Sequence, residues 1–281
     1  MANDISLFKS CIPLLDEVYK EASLTSVLDG APELAQSGAN ADEMIIPLME
    51  MSGLADYSRA SGFEQGDVTL RQETVRCNFD RGRMFTVDAL DDAETAGIAF
   101  GRLSGEFIRT RVVPELDAFR LSRYASFPGV TVRSAALSTG AAAVEALRAC
   151  VTRMDDLEVP ADGRVLFILP ALRGLIEDLD TTKSRAVLGR FAQIISVPQT
   201  RMYTAITQNS AGYQKADGAK DLNFLCVHPS AVIQYQKHIA PKIITPEMNP
   251  DADAWKFGYR SVGIASVYQN KVAGVYAHTA V

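Results

Sequence analysis

The sequence predicts an α+β chain whose N-terminal third is extended and whose remainder folds around buried strands. Three observations predict it. Residues 43–88 read as alternating strands with no strongly apolar face, residues 91–125 carry one long helical pattern, and from residue 131 short apolar strands alternate with amphipathic helices.

The bounds are those of an ordinary globular protein. The chain has 281 residues, 47% hydrophobic and 22% charged, with a formal net charge of −6. That charge argues against a basic groove gripping nucleic acid, though not against a protein that merely encloses it. Cys11, Cys77, Cys150 and Cys226 have no CxxC or repeated spacing, which fits reduced, mostly buried thiols. "MANDISLFKSCIPLL" has an acid where a secretion signal needs basic residues, and no apolar run approaches the ~20 residues that span a bilayer. The expectation is a soluble chain made in the cytoplasm, with no membrane contact.

Residues 1–42 hold one amphipathic helix, about Pro13 to Leu28, followed by the small, polar stretch "DGAPELAQSGANADE". So little core suggests an appendage that seeks a partner surface. "EMIIPLMEM", "DVTLRQETVRCNF" and "RMFTVDAL" are strand-like. In the second, Val68, Leu70 and Gln72 share one face and Thr69, Arg71 and Glu73 the other. A two-stranded ribbon of this kind is marginal alone in water, so its natural place is across another subunit.

The long helix opens at Asp91 with Glu94 three residues on, a capping-box arrangement. Phe100, Leu103 and Phe107 form a stripe that Val112, Leu116 and Phe119 continue beyond Pro114. Proline inside a helix removes a donor and clashes with the carbonyl four residues back. A stripe that survives it favours one kinked helix over two separate ones. Some 34 residues would extend about 50 Å. Beyond it, "STGAAAVEALRACVTRMDDLEV" is a helix starting at Ser138 or Thr139, "GRVLFILP" a buried strand and "ALRGLIEDL" a helix. "QIISVPQTRMYT" and "LNFLCVHP" are strands, and "SAVIQYQKHI" reads as a helix. "APKIITPEMNPDADAWKFG" reads as irregular. The terminal "YRSVGIASVYQNKVAGVYAHTA" reads as two strands joined at Gln269-Asn270.

Catalytic constellations are missing from the pattern. His228, His238 and His278 are the only histidines, and no HExxH, GxSxG, GxGxxG or phosphate loop occurs. Asp88, Asp91, Asp92 and Glu94, and again Glu115 and Asp117, sit where acids favour a helix start. No catalytic, cofactor or metal site is expected.

The order of parts resembles the major capsid protein of tailed bacteriophages with the Hong Kong 97-type fold, along nearly the whole chain. "GLADYSRASGFEQGDVTLRQETVRCNFDRGRMFTVDALDD" and "EFIRTRVVPELDAFRLSRYA" carry the resemblance. So do "GRVLFILP", "SVPQTRMYT" and "FLCVHPSAVIQYQKH". It implies an N-terminal arm (1–42), an extended β-hairpin loop (43–85), a peripheral domain with a spine helix (86–130 and 256–281) and an axial domain (131–255). On this reading the bend at Pro114 lets the spine follow a curved shell.

The function implied is structural: hexamers and pentamers of one chain form an icosahedral virion shell, assembled in the bacterial cytoplasm, that encloses double-stranded DNA without sequence-specific binding. Portal and scaffolding proteins, and in some shells decoration proteins, are the implied partners, with the scaffold separately encoded or dispensed with. Alternatives are an encapsulin-type nanocompartment and, from another class, a soluble α/β enzyme with an oligomerisation arm. The interface candidates are Arg59, Arg71, Arg76, Arg81 and Arg83 of the loop, Glu106 and Arg109 of the spine, and Gln269, Asn270 and Lys271 at the closing turn, near a threefold contact. Between Glu43 and Asp88 there is no lysine, so amine-based crosslinking from the loop is not expected.

Overall fold

The computed structural model of the chain describes residues 22–30, 36–37, 43–53, 55–57, 59, 62–90 and 98–281. The strands are β1 (Gln36–Ser37), β2 (Glu43–Met51), β3 (Val68–Arg76), β4 (Phe79–Asp88), β5 (Thr131–Ser134), β6 (Val165–Ile168) and β7 (Gln193–Ser196). They continue with β8 (Ile206–Asn209), β9 (Gly212–Lys215), β10 (Leu222–Val227), β11 (Val232–Ile244), β12 (Ala254–Val267) and β13 (Val275–Thr279). The helices are α1 (Ile98–Phe107), α2 (Val113–Ala125), α3 (Gly140–Asp156), α4 (Pro170–Leu179) and α5 (Thr182–Leu188).

The expected ribbon forms. β2 pairs antiparallel with β3 from Glu43↔Arg76 to Met51↔Val68, and β1 adds two residues along β2's other edge. Asn78 then ties the chain to β12. Its Nδ2 donates to the Ala265 carbonyl at 2.7 Å, and the Ala265 amide donates to its Oδ1 at 3.0 Å. β4 continues beside β12, which is antiparallel to both β4 and β11 in a three-stranded sheet.

The helix over this sheet runs unbroken from Ile98 to Ala125, through Pro114, because a π-turn (Ile108–Val112) joins α1 to α2. The Val113 amide donates to the Ile108 carbonyl, five residues back. A proline ring at 114 would collide with the Thr110 carbonyl of an ordinary helical turn, and the wider π-turn makes room for it. The apolar stripe registers the extra residue: its step from Phe107 to Val112 is five, where three or four would keep an α-helix in phase. Phe119 packs on Phe79 of β4 with ring centroids 5.1 Å apart, and Phe107 on Phe85 at 4.7 Å. The expected capping box at Asp91 and Glu94, and the greater part of the helix expected at Pro13–Leu28, lie outside the described residues.

The second sheet has the order β5-β13-β10-β6-β7. Its central strands are apolar without alternation because both faces are covered. Leu166, Ile168, Phe224, Cys226 and Tyr276 face α3 and α4, whereas Val165, Phe167, Leu225, Val227 and Ala277 join the core shared with α2. α3 starts as expected at Thr139, whose side chain accepts from the Ala142 amide at 3.3 Å. Gly140 lies so close to α4 that a Cβ there would fall 2.1 Å from the Leu175 carbonyl oxygen.

Several expectations are corrected. "SAVIQYQKHI" is not a helix: after a 3-10 turn at Pro229–Ala231 it forms β11. Val232, Ile233 and Tyr235 favour a pleated surface, and the pairing with β12 fixes it there. "APKII" belongs to the same strand, so the irregular stretch is shorter than expected. The closing segment is not a hairpin. β12 and β13 enter different sheets, linked by a 3-10 segment at Gln269–Gly274, because β13 is buried on both faces between β5 and β10. The hairpin β8–β9 and the short helix α5, with its Thr181/Ser184 capping box, were not anticipated.

Candidate assembly surfaces

The ribbon leaves apolar side chains in water. Met51, Val68 and Leu70 are more than half exposed, as are Tyr57 and, at 88%, Phe63 beyond the strand ends. Ser52 and Asp67 close the strands: each backbone amide is satisfied by the other residue, at 3.0 and 2.6 Å. The Tyr57 and Phe63 rings meet edge to face at 4.9 Å. Exposed apolar side chains gathered on one segment are the usual mark of a surface that another molecule covers.

Residues 22–30 behave differently from the expected appendage. They are pinned to their own subunit by a buried polar latch. Asp117, fully buried on α2, accepts from Ser23 Oγ (2.9 Å), the Leu24 amide (3.0 Å), the Thr25 amide (3.3 Å) and Thr25 Oγ1 (2.6 Å). Its remaining partner is Arg201 Nη1, at 3.0 Å. Beside it, Gln234 of β11 donates to the Thr25 carbonyl (2.7 Å) and Asp29 Oδ1 (2.6 Å), and accepts from the Tyr124 hydroxyl (2.7 Å). Leu28 is buried below this network. Asp117 is therefore a structural hub rather than an acid restarting a helix. The sequence signal was faint: a polar residue one turn beyond Pro114, amid positions that turn out to be buried.

A cleft of about 1290 Å³ opens between the helix, β4 and the β8–β9 hairpin. Its apolar lining includes Phe79, Phe85, Phe107, Val112, Pro114 and Tyr259. Arg81 Nε donates to Glu115 Oε1 at 2.8 Å and its Nη2 to the Asn209 carbonyl at 2.7 Å. Arg83 donates to the Ser210 carbonyl and lies over the Phe85 ring, 6.0 Å from its centroid. Both arginines thus hold the hairpin against β4 within one subunit. Arg83 and Arg111, which also line the cleft, meet no carboxylate among the described residues. Burial pushes the Tyr213 hydroxyl on the hairpin up from its usual range.

Of the sequence candidates the structure brings Arg81, Arg83 and Glu106 to this cleft. Arg59 is exposed in the loop, and Arg71 and Arg76 are exposed on β3. Glu106 and Arg109 form an exposed pair one turn apart at 2.7 Å. Gln269, Asn270 and Lys271 lie exposed on the 3-10 segment, with the Lys271 ammonium 5.3 Å from the Tyr268 ring centroid. Arg111, within the stretch "EFIRTRVVPELDAFRLSRYA", and the β8–β9 hairpin were not expected here, because the cleft exists only through where that hairpin packs. Among the described residues no helix is long and apolar enough to cross a membrane.

These two sheets, the ribbon and the spanning helix define an α+β architecture of the Hong Kong 97 capsid type. Comparison with solved structures shows the same fold. The capsid structure of cyanophage P-SCSP1u is 13% identical, with a TM-score of 0.60 over 88% of this chain and 85% of that one. A structure from Mycobacterium phage Che8 is 14% identical, with a TM-score of 0.58 over 85% of both chains. A virus-like particle from Pyrococcus furiosus is 11% identical, with a TM-score of 0.59 over 94% and 95%. No family model matches the chain, and no curated protein matches it in sequence.

Proposed function

We propose that the chain is the major capsid protein of a tailed phage, a non-catalytic subunit whose copies form an icosahedral shell around the genome in the virion. The observation that carries this reading is the ribbon: a fold shared with phage capsids over most of the chain, bearing apolar side chains that its own subunit leaves exposed. The loop tip, residues 52–67, has three acids (Asp56, Glu64, Asp67) against one base (Arg59), besides two exposed aromatic rings. The cleft offers aromatic walls and two guanidinium groups, of Arg83 and Arg111, that meet no carboxylate among the described residues. This complementarity supports seating of one copy's tip in a neighbour's cleft.

In this reading residues 1–42 form the arm, latched at 22–30, and 43–85 the inter-subunit loop. The spine helix with β4, β11 and β12 makes the peripheral body and the five-stranded sheet the axial body, which moves β11 out of the axial range 131–255 expected from the sequence and β13 into it. Assembly occurs in the host cytoplasm with portal and scaffolding proteins. The net charge of −6 suits a container filled with DNA rather than one that condenses it. A shell without a genome is the second reading, favoured by the near-complete mutual coverage with the Pyrococcus furiosus particle. Nucleic-acid content of purified particles separates the two. Limited proteolysis tests the shared claim. Unassembled subunit should be cut first within residues 30–85, and assembled particles should resist there; equal cutting in both states would contradict it.

A further inference from the structure

Three sulfur-bearing side chains come together inside the five-stranded-sheet body. Cys150 and Met154 stand one turn apart on α3, on the face that packs against the sheet. Across from them, Cys226 is the cross-strand partner of Leu166, so both side chains point at α3. The Cys226 thiol donates to Met154 Sδ at 3.4 Å, and Cys150 packs in the same buried cluster. All three residues are at most 1% exposed.

A second observation lies beside them. Arg164, two residues before Leu166, is 1% exposed on the same side of the sheet. Its Nε donates to the Pro160 carbonyl at 2.9 Å and its Nη2 to the Val159 carbonyl at 2.6 Å; Nη2 also pairs with Asp155 at 2.7 Å. Its Nη1 is buried without a hydrogen-bond partner. Arg190 shares Asp155, at 2.9 Å. Arg164 is thus a buried cation beside the sulfurs, paired with Asp155 at the edge of the body.

We propose that Cys150, Cys226 and Met154 form a binding site for a soft monovalent cation of the copper(I) class. Thiolate and thioether sulfurs select such ions over the hard cations that prefer oxygen. Trigonal coordination with metal–sulfur bonds of ~2.3 Å places the sulfurs about 4.0 Å apart. The Cys226–Met154 separation of 3.4 Å thus opens by roughly 0.6 Å on binding. Each thiol releases its proton to solvent as the ion binds. Two thiolates and the monovalent ion carry one net negative charge, and the buried Arg164 guanidinium stands on the same side of the sheet. The bound ion ties α3 to β10 and stabilises the folded subunit by mass action.

The test is an anaerobic titration of the full-length protein with copper(I) against bathocuproine disulfonate, read with the thermal unfolding midpoint. One copper(I) per subunit and a raised midpoint are expected. Met154→Leu keeps the core volume and should weaken binding by about tenfold or more. A Cys11→Ser/Cys77→Ala double variant should bind as wild type does. Wild-type affinity in Met154→Leu, loss of binding in the Cys11/Cys77 double variant, or no copper(I) retained against the chelator would each overturn the proposal.

Discussion

Replacing Asp117 with asparagine removes one charge and almost no volume from the latch that holds residues 22–30. The carboxylate is fully buried, accepts four hydrogen bonds from Ser23, Leu24 and Thr25, and is paired with Arg201. An asparagine keeps one acceptor oxygen but turns an amide donor toward groups that are themselves donors, and it leaves Arg201 without its counter-charge. Breaking a buried pair from one side costs about 3–5 kcal/mol. At a denaturant slope of roughly 3 kcal/mol per molar urea, the midpoint of the unassembled subunit should fall by about 1 M or more. Hydrogen exchange provides the local readout: the Leu24 and Thr25 amides, which donate to the carboxylate, should lose protection ahead of the rest of the protein. A midpoint within about 0.2 M of wild type at the same slope, with both amides still protected, would refute the claim that Asp117 holds this segment.

Other perturbations test separate parts of the structure. Gly140→Ala drives a Cβ to 2.1 Å from the Leu175 carbonyl, and should destabilise by about 1–3 kcal/mol through displacement of α4; thermal unfolding unchanged from wild type would contradict that packing. Burial lowers the pKa of His278 below its ordinary 6.5, so in the window beneath 6.5 the unfolded chain binds more protons than the folded one. This contribution to stability is complete above about pH 6.5 and is lost as pH falls; urea unfolding at pH 7.5 and 5.5 should show that loss in wild type and less of it in His278→Gln. Boiled, reduced particles should run as one band near the 30.5 kDa chain mass, because no loop lysine exists to form an isopeptide bond; a ladder of multimers would contradict this.

The parts legible in the sequence were those whose local pattern and tertiary environment agree. β6 and β10 read as buried strands because both their faces are covered, so apolarity alone identified them. The ribbon was legible for the opposite reason: neither of its faces is apolar enough for a core. The π-turn was written in the five-residue step from Phe107 to Val112, although a stripe followed only for continuity hides it. β11 was misread because Gln234 is polar yet buried. Its satisfaction depends on Tyr124 and Thr25, 110 and 209 residues away in sequence. Asp117 failed for the same reason, since nothing near it in the chain announces that Ser23, Leu24 and Thr25 will surround it. At the cleft, Arg81 and Arg83 were noticed as loop cations. Their engagement with Glu115, Asn209 and Ser210 depends on where the β8–β9 hairpin lies.

Cryo-electron microscopy of the purified protein shows whether the chain closes into shells through its ribbon. Closed icosahedral particles built from this chain are expected, in which residues 52–67 of each copy lie against a neighbouring copy and bury Tyr57 and Phe63. Discrete monomers or small oligomers under assembly conditions, or closed particles whose ribbons stand free in solvent, would contradict this expectation.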